Sequence, residues 1–251
     1  MRIVRYATPE GPRHGLIEGD TLYAAEGAPG DLRRGAAVGP LAEATLLAPV
    51  EPTTIVCVGN NYDELLAAKG LDRPEIPNVF LKAANTIVGP DADVVAPAGQ
   101  RFEFEGELAL VIGATARKVA AADWRDYVLG FTIANDLTAR DWQLADTQWW
   151  RAKSSDTFCP VGPWIDTDYA DPEARALRTL VNDEVTQDST TADLTFKLGE
   201  VLEIVTASLT LQPGDLVLTG TPPGFRPLHP GDVVEVRIDG LGALRNTVVA
   251  G

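Results

Sequence analysis

The chain has 251 residues, 45% of them hydrophobic and 23% charged, with a formal net charge of -15. These are ordinary globular proportions, and the length suits one large domain or a small domain joined to a larger one. The acidic balance excludes a nucleic-acid backbone as partner, and no stretch approaches the roughly 20 apolar residues of a membrane-spanning helix.

The N-terminus, Met1 to Tyr6, has no apolar run of signal-peptide length, so a reduced, soluble, cytoplasmic protein is expected. Residues 1–50 read as a small β-rich domain. Ile3-Val4, Leu16-Ile17 and Thr21 to Tyr23 are its strands, and Gly19-Asp20 suits a hairpin turn. Ala25 to Pro40 is rich in Gly, Ala and Pro, and a boundary near residue 50 leaves 51–251 as the larger domain.

Thr53 to Val58 reads as a buried β-branched strand that ends in the turn-forming Gly59-Asn-Asn-Tyr62. Asp63 to Lys69 is a short helix stopped by Gly70. Val79 to Lys82 and Thr86 to Val88 are short strands. Arg101 to Gly113 alternates at first, with Glu103, Glu105 and Glu107 on one side and Phe102 and Phe104 on the other, and then turns wholly apolar. Val119 to Val128 is expected as a helix, and Leu129 to Ala134 as a strand running into Asn135-Asp136.

The serine, glycine and proline content of Arg151 to Pro163 predicts a loop. Leu177 to Val181 and Glu184 to Gln187 flank the hairpin turn Asn182-Asp183. Phe196 to Thr206 is an amphipathic helix with Leu198, Val201, Leu202 and Val205 on one face. Leu216 to Leu218 leads into the tight loop Thr219 to Gly224, and Asp232 to Ile238 pairs with Leu244 to Val249. Short strands dominate without a βαβ rhythm. The fold class expected is mixed α/β, β-rich, with rolled sheets and a few short helices.

Cys57 and Cys159 form no CxxC pair, so neither a zinc ribbon nor a disulfide framework is expected, and Cys57 reads as a core residue. His14 and His229 lie in no HExxH or HxH arrangement. That argues against histidine-based zinc chemistry and against a Ser-His-Asp triad.

The carboxylate row is the chemical signal. Carboxylates two apart on a strand repel each other, and near a core they need a cation. Glu105 and Glu107 can both reach one ion, and their hard oxygen atoms favour Mg²⁺, Mn²⁺ or Ca²⁺ over zinc. Asp136, at the end of an apolar strand, is either a third ligand or a helix N-cap. Lys153, in a polar stretch, either stabilises an enolate or acts as a base, or is a surface lysine. Thr219-Gly-Thr221 either receives a carboxylate or is a plain strand-to-loop turn. Trp149 and Trp150 suit a pocket wall, a subunit interface or simple burial.

Five stretches together resemble the fumarylacetoacetate hydrolase family. They are Glu103 to Gly113, Gly130 to Gln143, Lys153 to Trp164, Thr190 to Phe196 and Thr219 to Pro222. The resemblance implies a rolled mixed β fold, a homodimer and a bound Mg²⁺ or similar ion. It places the metal carboxylates on Glu105, Glu107 and Asp136, and the catalytic lysine on Lys153. Substrate contacts fall on Gln143 and Thr221, with Gly220 and Arg140 beside them. The implied substrates are small 2-oxo or 2-hydroxy-enoate carboxylates, which undergo isomerisation, decarboxylation or C–C hydrolysis. Glu103 is left without a required role.

One departure bears on the reaction. Many members of the family carry a His and, three residues later, a Glu after the Val-Gly-x-Asn-Tyr turn, a pair that activates the hydrolytic water. Here these positions hold Leu65 and Ala68. A missing positioned base costs hydrolysis something like 10²- to 10⁴-fold, whereas enolate chemistry needs mainly an electron sink. The expectation is therefore an isomerase or decarboxylase. The first alternative is a C–C hydrolase with a base drawn from His14 or His229. The second is a catalytically silent metal-binding relative.

Overall fold

A computed structural model describes residues 1–27 and 31–251, so the part of the Ala25-to-Pro40 stretch at 28–30 lies outside the described residues. The architecture is mostly β-sheet with few, short helices, as the strand pattern predicts. The path of the large central sheet runs Arg33–Pro40, Thr21–Glu26, Arg13–Glu18, Arg2–Tyr6, Cys159–Asp166, Val128–Asn135, Gly106–Ile112, Leu216–Leu218, Ile55–Gly59 and Asn78–Lys82. A five-stranded sheet orders Glu184–Thr190, Ala176–Val181, Val233–Ile238, Gly242–Ala250 and Asp93–Ala96. Among the described residues, no helix is long and apolar enough to cross a membrane.

The apolar run after Glu107 is explained by burial on both faces of its strand. Leu108, Leu110 and Ile112 join Phe131, Ile133, Val236, Ile238 and the buried face of the helix Leu198–Ser208 in one cluster. Ala109 and Val111 face the opposite cluster, with Cys57, Ala134, Cys159 and Leu218. Period two thus sends alternate residues into two cores. Both cysteines are buried free thiols.

Three local expectations are corrected. The Arg101-to-Gly113 segment is not one strand. Phe102–Glu103 pairs with Thr138–Ala139, the chain breaks at Phe104-Glu105, and Gly106–Ile112 then enters the central sheet. Ala121–Tyr127 is a 3₁₀ helix rather than an α-helix, and it leads directly into the strand Val128–Asn135. Cys159–Asp166 is an eight-residue strand despite its prolines, and Trp150–Ser154 is a short helix. Its pairing with Val128–Asn135 is irregular between Phe131 and Ile133, so Pro163 falls where the ladder is interrupted and its missing N–H is not needed.

Candidate active site

Antiparallel pairing builds the site. Gly106 lies opposite Asn135 and Glu107 opposite Ala134, so Glu105 and Asp136 come together at one end of two neighbouring strands. The main chain locks them: Asp136 N–H donates to the Glu105 carbonyl at 2.8 Å, and Glu105 N–H donates to Asn135 Oδ1 at 3.0 Å. Leu216–Leu218 pairs on the other side of Gly106–Ile112 and carries the Thr219-Gly220-Thr221 loop to the same end. Ile55–Gly59, parallel to it, delivers the Gly59-Asn60 turn there as well.

Glu105, Glu107 and Asp136 are all buried, and each offers an oxygen within 4.8 Å of the others. The charges around them are organised in pairs. Lys153 Nζ donates to Glu105 Oε2 and to Asp136 Oδ2, both at 2.7 Å. Arg140 donates to Glu105 at 2.7 Å and to Glu103 at 2.6 Å, and it also holds Gln143. Lys82 Nζ reaches the other Asp136 oxygen and the Leu137 carbonyl. Gly220 N–H donates to Glu107 Oε2 at 2.6 Å, so this donor of the predicted substrate loop is engaged by a carboxylate of the protein. Thr221 donates to the Gly106 carbonyl and accepts from Gln187.

These contacts divide the three carboxylates electrostatically. Burial alone would raise Glu105, but Lys153 and Arg140 outweigh it and hold its pKa down to about 2. Glu107 goes the other way. Burial pushes it well above the carboxylate range, and the charges of Asp136 and Glu105 push it further. Burial disfavours a charged Lys153, but Asp136 and Glu105 prevail and raise its pKa. These ion pairs favour the ammonium form of Lys153, the form that suits the enolate-stabilising alternative. Four buried carboxylates (Glu103, Glu105, Glu107 and Asp136) face three buried cations (Lys82, Arg140 and Lys153), and the more exposed Arg101 pairs with Glu103 at 3.1 Å, so Glu107 is the carboxylate with no ion-pair partner among the described residues. A raised Glu107 beside two other carboxylates is the mark of a missing positive charge, and three clustered oxygen donors fit a hard divalent ion.

A cavity of about 210 Å³ opens over this cluster. Its floor and walls include Glu105, Glu107, Lys153, Arg140, Gln143 and Thr221, while Asp136 and Gly220 lie behind it in contact with lining residues. Phe80, Trp149, Phe225 and Leu65 supply the apolar surface, with Trp149 edge-on to Phe80 at 5.2 Å. Trp150, by contrast, is 70% exposed. Leu65 lines the cavity at the position where a base would stand, whereas Ala68 and Glu64 do not line it. Neither His14 nor His229 lines it.

Sequence reasoning missed Lys82, Lys69 and the role of Glu103. Glu103 is buried against Arg140 and Arg101, and Arg140 in turn holds Glu105. The available signal for Lys82 was its register: it shares a strand face with Phe80, at the end of an otherwise apolar run. Lys69 stands at the cavity mouth and donates to Asn60 Oδ1 at 2.7 Å.

The Thr219-Gly-Thr221 loop passes close to its neighbours. Gly220 has φ +99, and a Cβ there would meet Asn61 Cβ at 2.8 Å and the Val58 carbonyl at 2.9 Å. Asn61 cannot yield, because it bonds Thr219 and both the N–H and the carbonyl of Phe196. Gly220→Ala should therefore cost about 1–3 kcal/mol of stability, read as a lower denaturant midpoint at unchanged m-value.

Buried carboxylates around a small cavity in a rolled β scaffold define a site whose oxygen donors could hold a divalent cation. Residues 54–249 match the model of the fumarylacetoacetate hydrolase C-terminal domain, and residues 1–49 match that of the Rv2993c-like N-terminal domain. The chain belongs to the fumarylacetoacetate hydrolase family. It is 45% identical to protein Rv2993c of Mycobacterium tuberculosis, covering 99% of this chain and 98% of that one. It is 43% identical to the mitochondrial oxaloacetate tautomerase FAHD2A of Bos taurus, covering 84% and 71% respectively. Among solved structures, a 2-hydroxyhepta-2,4-diene-1,7-dioate isomerase from Mycobacterium marinum superposes with TM-score 0.92 at 43% identity, covering 100% and 98% of the two chains. A maleylpyruvate hydrolase from Sphingobium sp. SYK-6, in complex with manganese(II) and pyruvate, superposes with TM-score 0.83 at 33% identity over 100% of both chains.

Proposed function

We propose that this chain is a cytoplasmic, divalent-metal-dependent enzyme. It acts on small 2-oxo or 2-hydroxy-enoate carboxylates by enolate chemistry, that is, isomerisation (including keto–enol tautomerisation) or decarboxylation. The observation that carries the reading is the pairing of a buried carboxylate triad, whose Glu107 has no ion-pair partner among the described residues, with an apolar Leu65 where a hydrolytic base would stand. Glu105, Glu107 and Asp136 would hold magnesium, or manganese or calcium in its place. Bound there, such an ion supplies a Lewis acid for a 2-oxo group.

The chain's own residues supply the rest. The Lys153 ammonium, fixed between Glu105 and Asp136, faces the cavity and stabilises negative charge as it develops on the substrate oxygen. It can also deliver a proton from Nζ. Arg140 orients Glu105 and Gln143, and Gln143 and Thr221 offer polar contacts to the substrate. Phe80, Trp149, Phe225 and Leu65 exclude water from the enolate. Leu65 cannot take a proton, and this weighs against hydrolysis.

The relatives named as a tautomerase and as an isomerase support this choice, and the one named as a hydrolase defines the alternative. The protein is also read as a homodimer. Leu81, Leu144 and Trp150 are exposed by 51%, 74% and 70%, on strand and helices that border the cavity.

The test is product analysis with and without added Mg²⁺, on oxaloacetate, an acylpyruvate and a hydroxydienedioate. Mass-conserving isomerisation or release of CO₂, abolished by chelation, is the expected result. Cleavage of the acylpyruvate into two acids would instead establish the hydrolase. Magnesium binding with no turnover of any of them would establish a silent relative.

A further inference from the structure

We infer that Lys69 sets the specificity of this pocket: its ammonium receives the far carboxylate of the substrate, so the preferred class is a 2-oxo dicarboxylate. The inference rests on the enolate reading above and concerns the opposite end of the same molecule.

Lys69 lines the same cavity as Glu105, Glu107, Lys153 and Arg140, but at its mouth. Its electrostatic position differs from that of the inner cations. Lys153 and Arg140 are already committed to carboxylates of the protein. Lys69 has no carboxylate partner among the described residues; its hydrogen bond goes to the neutral Asn60 Oδ1. An anionic oxygen arriving from the cavity can share that ammonium without breaking an ion pair, and a charge-assisted bond is about twice as strong as a neutral one.

The mount is fixed. Lys69 ends the helix Asp63–Lys69, which is held by buried Leu65 and Leu66 and by the bond from Thr195 to Asp63. Gly70 closes the helix in the left-handed conformation. The side chain therefore projects from a rigid base beside Asn60.

Charge count points the same way. With Arg101, which pairs with Glu103, the inner cluster holds four carboxylates and four cations, so a divalent ion there would leave a positive surplus for the 2-oxo end of the substrate to offset. Lys69 adds a positive charge further out, which calls for a second negative end. A cavity of about 210 Å³ also favours a compact acid, since it falls below the roughly 300–1,000 Å³ of drug-sized sites.

The test compares oxaloacetate with 2-oxobutanoate, which carries a methyl group in place of the far carboxylate. Exchange of C3 protons in D₂O, followed by NMR above the uncatalysed rate, reads both acids. K69M should raise KM for oxaloacetate about 10- to 100-fold with a smaller change in kcat, because one charge-assisted bond is lost. KM for 2-oxobutanoate should stay within about twofold. K69R should keep most of the preference. Equal losses on both acids, or an unchanged KM for oxaloacetate, would overturn the assignment.

Calorimetric titration in Mg²⁺ separates this inference from the reaction it rests on. If wild type binds oxaloacetate in preference to 2-oxobutanoate and K69M does not, Lys69 stands even where no exchange is seen. Wild-type binding without preference overturns Lys69 alone, and binding of neither acid overturns both readings.

Discussion

Replacing Glu107 by glutamine should make the metal-free protein more stable and, in the same variant, abolish metal-dependent turnover. Glu107 is buried, and both burial and its neighbours Asp136 and Glu105 raise its pKa. A group with a raised folded-state pKa contributes stability that is present below its unfolded value, about 4.3, and is lost as pH rises through the folded value. Above that unfolded value the carboxyl is therefore a burden on the fold, which must either bury its charge or take up a proton. Glutamine is neutral at every pH and keeps an oxygen for the Gly220 N–H. A gain of about 1–3 kcal/mol is expected, or a rise of several degrees in Tm for a chain of this length.

The gain has a functional cost. Without the third oxygen anion, turnover should fall by about a thousandfold or more, the equivalent of roughly 4 kcal/mol of lost Lewis-acid stabilisation. Scanning calorimetry with and without MgCl₂ checks both halves. Wild type should gain stability on adding magnesium, and the gain should grow as pH rises, because the ion competes with a proton on Glu107. The variant should show a higher metal-free Tm and no magnesium response. A variant that is destabilised yet still responds to magnesium would remove Glu107 from the triad. Glu105→Gln is a poorer probe, since it also unpairs Lys153 and Arg140.

Replacing Lys82 by methionine should be among the most damaging single changes outside the cavity lining. The Lys82 side chain is fully buried and reaches Asp136 and the Leu137 carbonyl. Methionine fills similar space, so packing is not the main loss. The loss is electrostatic: Asp136 stays buried with one cation fewer. Breaking such a pair from one side costs about 3–5 kcal/mol, a fall in Tm on the order of 10 °C. K82M/D136N should recover part of it, because the charge leaves together with its partner, and the double-mutant cycle gives the coupling. A K82M protein within about 1 kcal/mol of wild type would show that Asp136 needs no more than Lys153.

What the sequence made legible and what it concealed divide along a physical line. The helix at Asp63–Lys69 and the hairpin at Asn182-Asp183 are local features, and both are where the residues place them. The hairpin turn is built from two positive-φ residues, as its Asn-Asp composition suggests. Glu105, Glu107 and Asp136 come together because their spacing along two strands survives antiparallel pairing. Lys82 was hidden because its meeting with Asp136 depends on how Asn78–Lys82 lies beside Ile55–Gly59, a long-range relation with no local signal. Glu103 was left without a role because alternation gives the side of a strand but not what covers it. The break at Phe104-Glu105 was concealed for the same reason: it exists to let Phe102–Glu103 pair elsewhere.

The seam between the first strands and the rest of the sheet has a wider meaning. Arg2–Tyr6 meets Cys159–Asp166 at only two residue pairs, Arg2 with Asp166 and Ile3 with Ile165, reinforced by ion pairs from Met1 and Arg2 to Asp166. Ile3 and Leu16 pack into the cluster that contains Ala109 and Val111. A join this short asks few positions on either side to match. Over evolutionary time such a module can be gained, exchanged or redrawn while the strands that carry Glu105, Glu107 and Asp136 keep their register, so ancestry at the catalytic end and ancestry at the N-terminal end are free to follow separate histories.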